Sequence, residues 1–483
     1  MIQKHFVLLI SLFFCLRFSF GQILNESDDI ISAPTIDLQD STFNTIPVVV
    51  SKIIVEGNRI TKERIVLREL FFKLNDTIPA NQLKEILIRS RQNLLNSSLF
   101  NFVSLTHVLK GESVEIKISV VERWYTFPIP LFELADPNFN TWWLTKDFGR
   151  AFYGVYLLRE NFRGLKESLR FKVQFGYTEQ FALQYTVPYI NKKQTIGLGF
   201  TTSYSRNKEV AIKTINNKRV LYRDFGKYVR DEFYSTAVLS LRNDIYNTHS
   251  VQFKYNNVSI DKTISGLTDD YLKNNNKKAE FLMFGYSFIR DKSDFKSYPL
   301  SGYYTELELI KYGSGLLKEE PDFAYLSTRL KKFWKLNPRW YYAVSAMAKQ
   351  SLYGRQPYYL QKGLGYADNV RSYEYYIVDG QSWYMAKNNF KYRLISPKVQ
   401  KLQGINNNKI NLLHYTVYLN VFADAGYVRD TYYNNLNSLS NTLLFGYGIG
   451  LDYVTYYDRT IRLEYSINRM GQGGFYININ APL

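Results

Sequence analysis

The residues that most often carry catalysis or bind metals are sparse in this sequence. Its four histidines are widely spaced along the chain: His5, His107, His249 and His414. Glu306 and Glu308 lie two residues apart on a strand pattern, and nothing marks them as a general acid and base. Gly446, Gly448 and Gly450 alternate within another strand pattern, which favours a tightly curved sheet over a phosphate-binding loop. We therefore expect no enzyme, no catalytic residue, no metal site and no cofactor.

The dominant pattern is a period of two. From about residue 150 to Leu483, apolar and polar side chains alternate in segments separated by Asn, Asp, Lys and Gly clusters. Near the end of the chain, Ile461 and Leu463 would face one side of a strand, while Arg462 and Glu464 would face the other. Such alternation predicts a transmembrane β-barrel, with one face toward lipid and the other toward a wet lumen.

Soluble all-β folds also alternate, so the composition must decide between the two classes. Aromatic residues make up 17% of the chain, with 41 Tyr and 33 Phe, which suits the aromatic girdles of an outer-membrane barrel. No repeat of about 40 residues is visible, which argues against a propeller. The sequence is thus predicted to be mainly β, with a C-terminal transmembrane β-barrel.

The N-terminus matches a secretory signal peptide. Lys4 supplies the positive charge, Phe6–Cys15 the apolar stretch, and Ser19–Gly21 a cleavage site before Gln22. The apolar stretch is too short for a spanning helix. Cys15 is the only cysteine, so the mature protein would contain no disulfide and no thiol nucleophile.

Changes in composition divide the chain into five segments. They are a signal peptide (1–21), a flexible periplasmic segment (22–47), a small α+β domain (48–125), a linker (126–144) and the barrel (145–483). The α+β domain is predicted from a β-α-α-β-β order, with helices over 61–70 and 80–96. The linker is assigned to Phe127–Pro130, because two prolines separated by one residue give a stiff connection.

The chain is strongly basic. Its net charge is +18, or +16 without Lys4 and Arg17 of the signal peptide. For an exported barrel we expect no nucleic-acid partner; the excess fits loops that meet anionic lipid head groups, a basic lumen, or solvated loops without a partner.

Several motifs, in this order, resemble a known group of proteins. They are Ile53–Asn58, Leu95–Val103 and Val120–Arg123 in the α+β domain, and Glu160–Gly164, Arg290–Asp291, Asn369–Tyr373 and Phe422–Gly426 in the barrel. The chain resembles the BamA/TamA-like superfamily of outer-membrane assembly factors and two-partner-secretion translocators. The resemblance implies that the α+β domain is POTRA-like and that the barrel has 16 strands.

The resemblance also implies a set of site residues. Asn369–Tyr373 is similar to the tip of a loop that folds back into the lumen in this family, with Val370, Ser372 and Tyr373 around Arg371. Holding such a loop in place costs conformational entropy, roughly 1 kcal/mol or more per residue. The guanidinium group of Arg371 therefore needs a partner that offsets this cost.

Three acidic residues fall on the lumen-facing register of their strands: Asp424, Asp452 and Glu464. We expect Arg371 to pair with Asp424, with Glu464 as the second candidate; charges that merely line a wet lumen are the alternative. Ser372 stands where the motif has Gly, which would strain a tip that needs a positive φ.

The function implied is capture of unfolded polypeptide by strand addition to the POTRA-like domain, followed by insertion into, or passage across, the outer membrane of a Gram-negative bacterium. The exposed edge would come from the second strand of that domain: Val103, Leu105, His107 and Leu109. Expected partners are unfolded outer-membrane or exported polypeptides and outer-membrane lipids, with periplasmic lipoproteins as candidates. The alternatives are a translocator of one dedicated exported protein and a passive pore or surface receptor.

Overall fold

The computed structural model describes residues 47–134, 146, 151–224, 226–268, 270–401, 412–432, 434–455 and 459–479. The predicted signal peptide, and the predicted flexible segment except for Pro47, lie outside the described residues.

The first described unit is a small α+β domain. Its elements are β1 (Pro47–Glu56), α1 (Glu63–Leu67), β2 (Thr77–Pro79), α2 (Ala80–Asn96), β3 (Phe100–Lys110) and β4 (Ser113–Glu122). The sheet order is β2-β1-β4-β3, with β1 and β4 parallel and the other pairs antiparallel. Leu83, Leu87 and Leu94 recur at helical spacing on α2 and are buried in one core with the sheet. Helix α1 is shorter than predicted, because the chain from Asn58 to Lys62 is bound by other groups of the protein.

The rest of the chain is strand after strand. The elements are β5 (Thr126–Leu134), β6 (Ala151–Glu160), β7 (Ser168–Gly176), β8 (Thr178–Val187), β9 (Ile196–Asn207), β10 (Glu209–Ile215), β11 (Lys218–Arg223), β12 (Arg230–Leu241), β13 (Asn247–Ile260), α3 (Lys262–Leu267), β14 (Lys278–Asp291), β15 (Gly302–Tyr312), β16 (Phe323–Lys335), β17 (Trp340–Tyr353), β18 (Ser382–Lys401), β19 (Leu412–Arg429), β20 (Leu443–Thr455), β21 (Arg459–Asn468) and β22 (Gly473–Ile479). Strands β10 and β11 form a separate hairpin, and the other strands make one antiparallel 16-stranded sheet that runs from β5 to β22.

This sheet is the transmembrane β-barrel, and the predicted strand number of 16 is confirmed. The α+β domain lies at one end of the barrel, here called the domain end; the opposite end is called the far end. The connections at the domain end include 161–167, 188–195, 242–246 and 292–301.

The alternation predicted for the barrel is present in the burial of its side chains. Along β20, Leu443, Phe445, Tyr447 and Ile449 are exposed on the outer surface, whereas Asp452 is fully buried on the inner side. Because the outer residues are large and apolar, this surface suits lipid. None of the described helices is long and apolar enough to cross a membrane.

The predicted linker over 126–144 is wrong in its first part. Thr126–Leu134 is β5, the first strand of the barrel sheet, paired with β6 from Thr126↔Arg159 to Leu134↔Ala151. Pro128 and Pro130 suggested a stiff connection, but prolines also occur in edge strands, where the missing N–H is not needed by the neighbouring strand. Residues 135–144 of the predicted linker lie outside the described part of the chain.

The orientation of the strands gives a first prediction. Replacing outward-facing Val251 by Arg should lower the free energy of unfolding in lipid vesicles by about 2–4 kcal/mol, because a cation is placed in hydrocarbon. Gln252→Arg, on the neighbouring inward-facing residue, should cost much less. Urea titration in vesicles measures both changes, and equal losses would contradict this orientation of β13.

Candidate functional site

A 28-residue connection, 354–381, joins β17 to β18 and folds back into the barrel. Its two arms are held together by reciprocal backbone bonds between Leu364 and Val378, both 2.9 Å. The arms approach closely at Gly363, where an added Cβ would lie 2.0 Å from the carbonyl oxygen of Val378. This connection is called the lumen loop below.

Arg371, at the tip of the lumen loop, contacts Asp424 on β19. Its Nε donates to Oδ2 at 2.7 Å, its Nη2 donates to Oδ1, and its backbone N–H donates to Oδ2 at 3.2 Å. The carboxylate is fully buried, and the guanidinium stacks on the ring of Phe422 at 3.7 Å. A charge-assisted bidentate pair of this kind fixes both the position and the orientation of the tip.

Glycines of the barrel wall make room for the tip. A Cβ at Gly446 would lie 2.0 Å from the carbonyl oxygen of Arg371, and one at Gly426 would lie 2.5 Å from Cγ2 of Val370. The sequence showed both glycines on strands, but their role in close approach depends on which residues face them across the lumen. Gly446 therefore leaves room for the backbone of the tip. From its sequence pattern alone, this glycine is expected only to allow tight curvature of the sheet.

The tip is otherwise made by Val370, Ser372 and Tyr373, which are all buried. Ser372 adopts φ = 75°, a left-handed conformation. The family motif has Gly at this position, and Gly adopts this conformation without strain. Its carbonyl oxygen accepts from Nδ2 of Asn468 at 3.2 Å, and the Tyr373 hydroxyl lies 3.4 Å from the carbonyl oxygen of Phe445. The tip is thus bound to β20 and β21 as well as to β19.

The other two predicted acidic residues have different partners. Asp452 accepts a bidentate pair from Arg462, at 2.7 and 2.9 Å, and a bond from the Tyr298 hydroxyl at 2.7 Å. Glu464 is buried and accepts from Nδ2 of Asn478 at 3.3 Å. Arg371 therefore pairs with Asp424, while Asp452 pairs with Arg462 in a second ion pair nearer the domain end.

The β10–β11 hairpin contacts the lumen loop at the far end. The carbonyl oxygen of Asn217, in its turn, accepts from the Ile377 N–H at 2.9 Å. The Asn217 N–H donates to Oδ1 of Asn437 at 2.8 Å, and Thr214 is bonded to Asp379. Sequence patterning missed these contacts of the hairpin because the bonds join residues that are about 160 to 220 positions apart.

At the domain end, a buried carboxylate joins the α+β domain to the barrel. Glu69, which is only 2% exposed, receives Nη1 and Nη2 of Arg242 at 2.8 and 3.0 Å and the Tyr189 hydroxyl at 3.2 Å. The Lys166 ammonium lies 3.7 Å away. Burial alone would raise the pKa of Glu69, but Lys166, Arg242 and Arg68 outweigh it and hold that pKa well below its usual range.

A second junction surrounds Thr61. Glu122 accepts the backbone N–H groups of Ile60 and Thr61, and the Thr61 hydroxyl accepts from Nδ2 of Asn161 at 2.8 Å. The Tyr125 hydroxyl lies 3.1 Å from the same oxygen, and burial raises the pKa of Tyr125 to about 12. These bonds and those of Glu69 seat the domain on the connections that follow β6, β8 and β12.

The predicted strand-addition edge is strand β3, which lies at the edge of the four-stranded sheet. The two-residue turn between Lys110 and Ser113 makes those two residues a hydrogen-bonded pair. Every second residue from Leu109 back to Val103 then points its N–H and C=O away from β4. The carbonyl oxygen of Val103 accepts from Nε of Arg91 at 2.8 Å. The part of the edge that could bind an added strand therefore begins at Leu105.

Within the described ranges, no group of three or more His, Cys, Asp or Glu side chains could hold a metal ion.

A 16-stranded transmembrane barrel with a small α+β domain at one end and a loop bound inside its lumen defines an outer-membrane protein of the assembly and translocation class. Residues 161–480 match the model of the Omp85 superfamily domain, and the chain belongs to this superfamily. Its members are outer-membrane β-barrel proteins that insert or translocate polypeptides.

Solved structures with a similar fold include CdiB from Escherichia coli, at 14% identity and a TM-score of 0.54, over 90% of this chain and 76% of that chain. CdiB from Acinetobacter baumannii has 12% identity and a TM-score of 0.48, over 89% and 74%. BamA from Haemophilus ducreyi lacking POTRA domains 1–3 has 15% identity and a TM-score of 0.46, over 89% and 83%. No curated protein matches the chain.

The geometry of the tip gives a second prediction. Arg371→Ala should lower the free energy of unfolding by about 3–5 kcal/mol, because it leaves the Asp424 carboxylate buried without its main partner. A matched control is Arg329→Ala, which removes the more exposed pair between Arg329 and Asp368 of the same loop and should cost at most about 1 kcal/mol. Urea unfolding followed by tryptophan fluorescence measures both, and similar losses would contradict the assignment.

The Glu69 junction gives a third prediction, measured as the distance distribution between spin labels at Lys84 and Lys193. Because docking depresses the pKa of Glu69, its contribution is complete above the ordinary glutamate pKa of about 4.3 and is lost as the pH falls toward the depressed value. The distribution should stay narrow at pH 7 and broaden in acid. Glu69→Gln should broaden it already at pH 7.

The control for this prediction is Glu85→Gln, which removes an exposed ion pair with Arg89 on α2. This variant should keep the narrow distribution at pH 7. A broad distribution in the wild-type protein at pH 7 would contradict a rigid junction, whereas no change with Glu69→Gln would contradict the role of Glu69 in holding it.

Proposed function

We propose that this protein captures unfolded outer-membrane polypeptides by strand addition to β3 and assists their insertion into the outer membrane. In this proposal the domain end of the barrel faces the periplasm. The observation that carries it is the combination of a lumen occupied by a bound loop and an open strand edge in a domain that is hydrogen-bonded to the barrel mouth.

The bound lumen loop argues against a passive pore. The tip lies in the lumen with Arg371 on Asp424, and the β10–β11 hairpin contacts the loop at the far end. Free passage would require both sets of bonds to break. A barrel that acts on client chains from its periplasmic side has no such requirement.

The strand edge supports capture of an extended chain. The hydrogen bonds of Glu69 and Thr61 to the barrel connections hold the domain at the barrel, so a strand added to β3 would be held near the membrane. Val108 and Leu109 expose apolar side chains at the end of β3, which would contact the side chains of an added strand. Backbone hydrogen bonds would supply the attachment, which suits clients of varied sequence.

Outer-membrane lipids would contact the aromatic residues near the domain end. Trp334 stacks on Tyr342 with ring centroids 5.5 Å apart, and Trp340 packs on Tyr392 at 4.6 Å. Both tryptophans flank the turn between β16 and β17 on the outer surface. Tryptophan and tyrosine concentrate at the level of lipid head groups, so this cluster would mark the periplasmic border of the bilayer.

The test is the folding rate of a urea-unfolded outer-membrane barrel into liposomes that contain this protein, compared with empty liposomes. The wild-type protein should accelerate folding. His107→Pro removes one outward N–H from β3 without removing a bond to β4, and it should reduce the acceleration about threefold or more. His107→Ala keeps the backbone donor and should retain the acceleration.

No acceleration by the wild-type protein would contradict an assembly role and favour export of a dedicated partner. That alternative would be examined by measuring conductance with and without the tip pair, using Arg371→Ala. Equal acceleration by His107→Pro and His107→Ala would contradict strand addition at β3 specifically.

A further inference from the structure

A row of basic and aromatic side chains crosses the outer surface of the barrel near the domain end. It includes Arg290 on β14, Tyr303 on β15 and Lys332 on β16, which are three neighbouring strands. Tyr303 pairs directly with Lys332 in the ladder between β15 and β16. By alternation, these side chains lie on the same face as the exposed Leu307 and Leu330.

The cations of this row contact aromatic groups rather than carboxylates. Nε of Arg290 donates to the Tyr303 hydroxyl at 2.9 Å, and the Lys332 ammonium lies 5.4 Å from the centroid of the Tyr303 ring. Two residues after Arg290, the Lys292 ammonium lies 5.0 Å from the centroid of the Tyr246 ring. Within the described part of the chain, none of the three cations forms an ion pair. Arg290, Lys292 and Lys332 are called the basic cluster below.

Basic residues at the far end of the same strands are paired. Lys278 on β14 forms an ion pair with Glu280, and Lys311 on β15 forms one with Asp322. Those charges are balanced by carboxylates of the protein itself. The basic cluster has no such balance, so its charge is available to an anionic ligand.

The basic cluster borders a cavity of about 550 Å³ between the α+β domain and the barrel. The Phe71 ring of the domain contacts the Tyr246 ring of the barrel connection at a centroid distance of 5.7 Å. Apolar groups of both units and two cations of the cluster line the cavity: Phe71, Phe72, Ile245, Tyr246, Arg290 and Lys292. A ligand in this cavity would therefore contact the domain and the barrel together.

Two carboxylates also line the cavity, and backbone groups of their own loops bind them. Asp76 accepts from the Lys73 N–H at 2.7 Å. Asp244 accepts from the N–H groups of Tyr246 and Asn247, both at 2.7 Å. Against these two carboxylates the lining has three cations, so its net charge is +1 and favours an anion.

The level of the basic cluster along the barrel indicates which anion fits. The Lys332 ammonium lies 5.8 Å from the Trp334 ring, which belongs to the aromatic group at the lipid border. Toward the middle of the barrel, the same face continues with the exposed side chains of Tyr286, Leu307 and Leu330. A ligand that matches both parts has an anionic group beside the cations and apolar chains along the wall. This is the chemistry of a glycerophospholipid.

We propose that the basic cluster binds the phosphate of one glycerophospholipid from the periplasmic leaflet, with the head group in the cavity beneath the α+β domain. Arginine and lysine bind phosphate oxygens through charge-assisted hydrogen bonds. In the described ranges, neither Nη group of Arg290 is bonded to the protein, so both are available to the phosphate. The inference rests on the proposed function for one point, the orientation that places the domain end in the periplasm. The lipid would be a further link between domain and barrel, beside those of Glu69 and Thr61.

The first measurement is the affinity of the purified protein in detergent for dioleoylphosphatidylglycerol, by native mass spectrometry. One molecule should bind more tightly than the others, and dioleoylglycerol, which has the same chains without phosphate, should bind about tenfold more weakly. Arg290→Gln with Lys332→Gln should weaken the tightest binding about tenfold or more, because two of the three cations are removed. Lys192→Gln with Lys193→Gln is the matched control: it removes two exposed cations from another connection at the domain end and should leave the affinity unchanged.

Competition distinguishes a lipid from free phosphate. Glycerol phosphate carries the phosphate without the acyl chains and should not displace the bound lipid at equal concentration. Displacement at equal concentration would overturn the assignment to a lipid. Equal affinities for the two lipids, or for the wild-type protein and the variant of Arg290 and Lys332, would also overturn the inference.

The second measurement locates the head group. The predicted mature chain has no cysteine, so a cysteine at Ile245 reports on the cavity and one at Lys84 reports on the exposed face of α2. In detergent, dioleoylphosphatidylglycerol should slow the reaction of a water-soluble maleimide at Ile245 several-fold, because the head group blocks the cavity, and leave the reaction at Lys84 unchanged. The slowing should be lost in the variant of Arg290 and Lys332. Equal slowing at both positions, or equal slowing by dioleoylglycerol, would contradict the proposed position.

No client polypeptide takes part in either measurement. Failure of the lipid measurements therefore contradicts this inference alone. Absence of accelerated folding with the wild-type protein is the separate failure of the proposed function.

Discussion

In the hydrocarbon of a bilayer, a backbone N–H or C=O without a hydrogen-bond partner is costly, and this constraint shapes the whole barrel. Fourteen of its sixteen strands have neighbours on both sides that satisfy their backbone groups, and the alternation of side chains follows from that arrangement. The same constraint gives the two outer strands their importance, because β5 and β22 have only one such neighbour among the described residues.

In the lumen, the entropy of the loop is the main cost. Ordering the lumen loop costs conformational entropy, which the barrel can offset only if the loop's bonds to the wall are stronger than its bonds to water. The buried fork of Arg371 on Asp424 meets this need, and Gly446 and Gly426 let the backbone of the tip approach close enough to form it. Ser372 at φ = 75° adds a cost of its own, so the ion pair and the bond from Asn468 hold a conformation that serine rarely adopts alone.

Much of this could be predicted from the sequence, because a period of two is read directly from side-chain types. The inner face of β20 and the apolar stripe of α2 are cases of that kind. The position of Arg371 relative to Asp424 followed from the family motif, whereas the Arg462 partner of Asp452 did not, since it depends on the register between β20 and β21. Glu69 and Asn217 gave no signal of their contacts with Lys166 and Asn437, because these two residues are more than 90 positions away in the sequence.

The error at β5 has the same origin. A proline pair indicates a linker when only local stiffness is considered, and an edge strand when the neighbouring strand is known. Only the pairing with β6 distinguishes the two, and that pairing is not written in the local sequence.

The seating of the α+β domain gives the barrel unequal halves. The described bonds of Glu69, Arg68, Thr61 and Asn96 reach the connections after β6, β8, β12 and β14, all in the half of the sheet that begins with β5. A pull on the domain by a chain bound to β3 would therefore act as a load on that half alone. The half that carries the domain would stay in place under this load. The other half of the sheet, which ends with β22, would be free to move relative to it.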